Sequence, residues 1–263
     1  MKRLNFKMDK TYLDCIDNDG NCFIIYWARI EFSVIKINYS GLIFSDSNGK
    51  ISEKSSFIKF NRPCIDDNLL FNNSHLCING KWEKLSFAVS SLLYRDKQGN
   101  ELFWNCHHPK TQTRIEYRNT IYNGFGYAES LYLPIKPWQL PIDELRWGRF
   151  LSEKTTIIWI QWKDQYYLNK LYFNGVLFED ALFEETQIVF NNGKCRLIFE
   201  QPSVIRKGKL SGVIARMPWL KMFFNSKILK TIELKYKSPS SFFVDSILYD
   251  KGWSLYEIVT WHK

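Results

Sequence analysis

The sequence predicts an all-β protein built of barrels or sandwiches, and three observations carry that prediction. Apolar and polar residues alternate in recurrent runs along the chain, at the spacing of two that a pleated strand requires. Aromatic side chains, which favour strands, supply 17 % of the 263 residues, from 20 Phe, 14 Tyr and 10 Trp. Turn signals break the runs at even intervals, and long helical patterns are scarce.

In order, residues 22–33 and 36–44 read as the first strands, joined to the next by a hairpin turn at Asp46-Ser47-Asn48-Gly49. Strands are expected next at 55–60, 82–93, 101–107 and 111–117, with tight turns at Asn79-Gly80 and at Lys97-Gln98-Gly99-Asn100. The stretch 132–149 then packs in three prolines, Pro134, Pro137 and Pro141, before a dense charged and aromatic cluster. Proline suits connections and sheet edges, so this stretch reads as a link near residue 140 between two β modules, 1–140 and 141–263. Ile142 to Leu145 reads as a turn. The second half offers strands at 155–163, 166–173, 180–190, 194–200, 228–236, 242–249 and 253–261. Its turns are expected at Asn174-Gly175, Asn191-Asn192-Gly193 and Lys251-Gly252, and 218–227 reads as a short helix. The halves share no clear sequence repeat, so any duplication is architectural only.

Hydrophobic residues make up 45 % and charged residues 24 %, enough for a real core and too apolar for disorder. The net charge of +9 is scattered among acids without a basic block, so no nucleic-acid partner is expected; contact with a membrane surface stays open. The six cysteines form no CxxC pair or regular framework, and the N-terminus lacks an apolar leader. With no apolar run long enough to span a bilayer, the expectation is a cytoplasmic protein with free thiols. No GxSxG elbow or phosphate loop is present, and Asn123-Gly124-Phe125-Gly126 has no helix after it. The four histidines and six cysteines show no metal-ligand spacing. Neither cofactor nor metal is therefore expected.

Several stretches carry a resemblance: Gly124-Phe125-Gly126-Tyr127-Ala128-Glu129, Pro137-Trp138, Leu145-Arg146-Trp147-Gly148-Arg149-Phe150 and Ile158-Trp159-Ile160-Gln161-Trp162. Trp104-Asn105-Cys106-His107-His108-Pro109 and 252–261 fall where such proteins place a strand. Together these resemble the carotenoid 1,2-hydratase (hydroxyneurosporene synthase) and AttH-like group, related to tocopherol cyclases and some Diels–Alder cyclases. The resemblance implies two successive lipocalin-like, calycin-type antiparallel modules with few short helices and a cofactor-free pocket. It also implies hydration, cyclisation or isomerisation of polyenes and prenyl-bearing substrates. One departure is local: Ala128-Glu129-Ser130-Leu131 stands where the hydratases carry a stretch rich in His, Asp and Asn.

Such chemistry needs a carboxylic acid that stays protonated near neutral pH, which burial in apolar surroundings provides. It also needs aromatic faces around the cation that forms, worth roughly 0.5–2 kcal/mol each. Glu129, two residues after Tyr127 on one strand face, is the candidate general acid; the alternative is a buried partner of Arg146 or Arg149 holding the modules together. His107 is the alternate acid or base, set against a core role. Arg146 or Arg149 is the candidate anchor for a carbonyl, carboxylate or phosphate, set against a structural clamp. Trp104, Tyr127, Trp147 and Trp162 are candidate pocket walls. Asp143 and Glu144 read as turn caps, and Glu257, sharing a face with Val259 and Trp261, reads as inward and paired. Three readings stay open: an enzyme acting on an apolar small molecule, a lipocalin-like carrier without chemistry, and an interaction or membrane-surface module using 218–224 as an interfacial helix.

Overall fold

A computed structural model describes residues 6–164, 166–209 and 230–261 of the chain. The expected helix at 218–227, the interfacial segment 218–224, His262 and the start of the strand expected at 228–236 lie outside the described residues. The chain divides into two compact units, Met1–Lys136 and Pro137–Lys263.

The first unit is an antiparallel sheet of β1 (Phe6–Asp17), β2 (Cys22–Phe32), β3 (Ile35–Ser45), β4 (Ile51–Ser56), β5 (Asn68–Asn73), β6 (Ile78–Lys84), β7 (Val89–Arg95), β8 (Glu101–Tyr117) and β9 (Thr120–Leu133). Its spatial order is β4-β3-β2-β1-β9-β8-β6-β5, with β7 also on β8. After a single 3-10 turn at Pro137–Gln139, the second unit holds β10 (Glu144–Ser152), β11 (Thr156–Lys163), β12 (Leu168–Phe173), β13 (Val176–Phe178), β14 (Leu182–Phe183) and β15 (Gln187–Phe190). It continues with β16 (Cys195–Phe199), β17 (Ser203–Lys209), β18 (Ile232–Val244) and β19 (Ile247–Thr260). The order there is β13-β12-β11-β10-β19-β18-β16-β15-β14, with β17 also on β18. Each sheet curls into a half-barrel, giving the two successive lipocalin-like modules expected.

The two orders match strand for strand except that the second sheet carries one more edge strand, β14. The first strand of each unit pairs with the last, β1 with β9 and β10 with β19, and the side strands β7 and β17 attach at equivalent places. Both closing hairpins turn on two residues of positive φ, Arg118-Asn119 (52° and 64°) and Asp245-Ser246 (48° and 67°). That is the type I′ geometry whose twist matches the flanking strands. The duplication is thus architectural, carried by topology rather than by repeated residues.

Several boundaries differ from the sequence expectation. β1 was not anticipated as a strand, β9 was anticipated only in the strand face shared by Tyr127 and Glu129, and the cluster at 144–152, read as part of a link, is the central strand β10. Asn79-Gly80 lies inside β6, where the glycine makes room for the Trp82 ring rather than a turn; the chain reverses at 74–77 instead. Lys251-Gly252 lies inside β19, because the reversal falls at Asp245-Ser246. The runs 101–107 and 111–117 are one strand, β8, interrupted by irregularities around His107 and at 109–110. The runs 55–60, 82–93 and 180–190 are broken by loops.

Each unit encloses its own apolar cluster. In the first, Leu13, Phe23, Ile25, Phe71, Trp82, Ile115 and Tyr117 pack together, and Trp82 Nε1 crosses to donate to the Asp14 carbonyl at 2.8 Å. In the second, Phe190 stacks on Phe242 at 6.1 Å and Phe199 on Tyr256 at 4.6 Å, with Phe150 and Trp159 alongside. No helix among the described residues is long and apolar enough to cross a membrane. All six cysteines are free thiols.

Candidate functional site

Side chains alternate between the two faces of a strand, so Leu13 and Cys15 of β1 face the first cluster while Lys10, Tyr12 and Asp14 face away from it. Strand register fixes what joins them. Tyr12 lies opposite Tyr26 on β2 and opposite Glu129 on β9; Asp14 lies opposite Tyr127; Glu129 lies opposite Cys106 on β8. Asp14, Cys106, Tyr127 and Trp104 are almost wholly buried there, and Glu129 keeps 7 % of its surface.

Glu129 Oε2 takes two hydrogen bonds, one from Tyr127 Oη at 2.6 Å and one from Trp104 Nε1. An indole N–H only donates, so Oε2 is an acceptor in both protonation states and the acidic proton belongs on Oε1. Burial pushes the Glu129 carboxyl above its ordinary value, with the Asp14 charge adding to the rise. Lys10, Tyr127 and Trp104 act against that shift without cancelling it. Burial likewise drives the Cys106 thiol and the Tyr127 phenol well above their usual ranges, so both stay neutral. Tyr12 packs edge-on against Tyr26 and Tyr127 at 5.5 and 6.1 Å, completing an aromatic surround.

The structure therefore gathers Glu129, Tyr127 and Trp104 into one cluster. Within the second unit Arg146 holds Glu144 at 2.8 Å and the Phe183 carbonyl at 3.2 Å. Glu144 is thus a salt-bridge partner, shared with Lys163 at 3.2 Å. His107 meets the Ser130 hydroxyl at 2.7 Å through Nε2, away from the Glu129 carboxyl. Burial and neighbouring positive charge hold its pKa below the usual histidine value. In the second unit Trp147, Arg149 and Trp162 share the face opposite the Phe150 cluster, while Arg146 lies on the cluster's side. Arg149 is fully buried and donates to the Trp253 carbonyl at 3.0 Å.

The duplication supplies an internal comparison. Gly124 and Gly252 are equivalent: each lies against the end of the first strand of its unit, where a β-carbon would overlap the carbonyl oxygen of Ile16 or of Leu151. Five residues beyond each glycine stands a glutamate, Glu129 and Glu257. The residue facing Glu129 on β8 is Cys106, whereas the residue facing Glu257 on β18 is Lys235. Lys235 pairs with Glu257 and, at 3.2 Å, with Glu233, which Arg206 also reaches at 3.3 Å. Glu257 is therefore paired, but on the face turned away from the cluster that holds Tyr256 rather than inward, whereas Glu129 faces a thiol.

Sequence reasoning missed Lys10, Tyr12, Asp14, Tyr26 and Cys106. The usable signal was the period-2 placement of Lys10, Tyr12 and Asp14, but β1 is buried on both faces, which blurs the alternation. Among the described residues no group of three or more His, Cys, Asp or Glu could hold a metal ion.

Comparison with solved structures places this geometry. Kievitone hydratase from Nectria haematococca matches with a TM-score of 0.57 at 9 % identity, over 98 % of this chain and 89 % of that one. A Nitrosomonas europaea protein provisionally assigned as AttH matches with 0.53 at 10 % identity, over 99 % and 93 %. CghA matches with 0.57 at 9 % identity, over 97 % and 88 %. The likeness is one of fold. It bears out, at that level, the resemblance carried by the sequence words around Glu129 and Arg149. No family model matches the chain, and no curated protein sequence matches it.

Proposed function

We propose that the protein is a cofactor-independent enzyme of the hydratase, cyclase or isomerase type, acting on a hydrophobic polyene, isoprenoid or polyketide. The observation that carries this reading is the Glu129 carboxyl: buried, pushed toward its neutral form, and hydrogen-bonded through Oε2, which leaves Oε1 as the oxygen to carry an acidic proton. Such a group is a general acid. Transfer of the Oε1 proton to one carbon of a double bond forms a C–H bond and leaves a cation on the other carbon. The electrons of the O–H bond stay on Glu129, whose new charge Tyr127 and Trp104 already stabilise through Oε2. Tyr12, Tyr26, Tyr127 and Trp104 offer ring faces to the cation. Water capture then gives hydration, capture by a second double bond gives cyclisation, and loss of a different proton gives isomerisation. The fold neighbours include a kievitone hydratase, which supports the same reading.

The test starts from the protein purified from its native host, with mass spectrometry of the apolar compounds extracted from it. A co-purifying polyene, prenylated compound or polyketide is then incubated with wild type and Glu129→Gln. The expected result is turnover by wild type and a loss of about a hundredfold or more in a folded variant. Undiminished turnover by Glu129→Gln would remove the acid role. A compound bound but unchanged by wild type would establish the carrier reading instead.

A further inference from the structure

Lys10 stands on β1 two residues before Tyr12, on the same sheet face as Glu129. Its ammonium lies 5.4 Å from the centre of the Tyr26 ring and 5.9 Å from that of Tyr12, and the side chain is half-buried. Among the described residues it makes no ion pair and no hydrogen bond. Asp14, the next acid along that face, is four residues away, about 13 Å along an extended strand. An ammonium has three donors to satisfy, and ring faces engage its charge without accepting them. Lys10 is also close enough to Glu129 to favour that carboxylate electrostatically. A fixed positive charge beside a developing carbocation would oppose the very step for which Glu129 is arranged, unless the substrate neutralises it.

We propose that Lys10 seats an anionic oxygen of the substrate, a carboxylate, enolate or phenolate, at the end of an otherwise apolar molecule whose double bond lies against Glu129. This rests on the reading of Glu129 given above and narrows its substrate class to apolar compounds with one acidic oxygen. Tyr12 and Tyr26 hold the ammonium in place, and the anion supplies an acceptor for it. The ion pair so formed fixes which carbon of the chain meets Oε1, which makes Lys10 a specificity-determining residue.

The experiment compares cis-parinaric acid, a fluorescent conjugated tetraene carboxylate, with its uncharged methyl ester. Both are titrated into wild type, Lys10→Met and Lys10→Arg, well above the pH at which the free acid ionises. The expected result is about tenfold tighter binding of the acid than of the ester by wild type. The preference disappears in Lys10→Met, through weaker binding of the acid alone, and survives in Lys10→Arg. Equal affinity of wild type for acid and ester overturns the subsite and leaves the Glu129 reading standing; because it needs no variant, this arm holds even if Lys10→Met does not fold. A preference that persists in a folded Lys10→Met overturns it as well. Binding of neither probe overturns the apolar-substrate reading and the subsite with it.

Discussion

At Glu129 the same burial that suits a general acid also ties stability to pH, and the sign can be worked out. The folded carboxyl holds its proton above the ordinary value of 4.5, so between that value and the raised one the folded protein binds more protons than the unfolded chain. Its contribution is full below about pH 4.5 and is lost as pH rises through the raised value. His107 and His108, both lowered by burial, work in the opposite sense, losing their contribution as pH falls; comparing wild type with Glu129→Gln cancels them. Urea unfolding from about pH 4 to about pH 8 should therefore show the variant gaining on wild type as pH rises. A difference independent of pH would mean that folding leaves the Glu129 pKa unshifted. Residue identity at one paired position separates the two units here: Cys106, a thiol, faces Glu129, while Lys235 faces Glu257 and forms a salt bridge with it.

At the scale of elements, the meeting of first and last strand is the most constrained feature of each unit. A side chain at Gly124 or Gly252 would press on the backbone of β1 or β10, so Gly124→Ala and Gly252→Ala should each cost about 1–3 kcal/mol in denaturant unfolding. Gly208 on β17 has nothing within 4 Å of an added β-carbon, and Gly208→Ala should stay within about 0.5 kcal/mol of wild type. Comparable values for all three would show that the close approach at Gly124 and Gly252 is not constraining. Hairpins turned by Asp46–Gly49 and Asn174-Gly175 were legible because they carry a glycine at positive φ. Those turned by Arg118-Asn119 and Asp245-Ser246 were not, since neither pair contains the glycine that marks a type I′ turn in sequence. Without those two reversals, β9 and the start of β19 could not be placed, and the partners of Glu129 stayed hidden.

For the whole molecule, two separate apolar clusters mean that a defect in one is felt first in its own unit. Phe242, fully buried among Phe150, Phe173, Phe190 and Tyr249, is the test: Phe242→Ala should cost about 3–5 kcal/mol. Hydrogen exchange should then quicken across β10–β19 while β1–β9 keep their protection. Equal acceleration in both units would show that they unfold as a single cooperative body.

The sequence by itself determined the β class, the division into two modules and the aromatic interior, because period-2 patterning and composition are local quantities. Only the tertiary structure decided that β1 closes against β9 and β10 against β19. Strand pairing joins residues more than a hundred positions apart, and no local pattern records it. That closure brings Lys10, Tyr12 and Asp14 to the carboxyl of Glu129, and it sets Cys106 opposite Glu129 and Lys235 opposite Glu257.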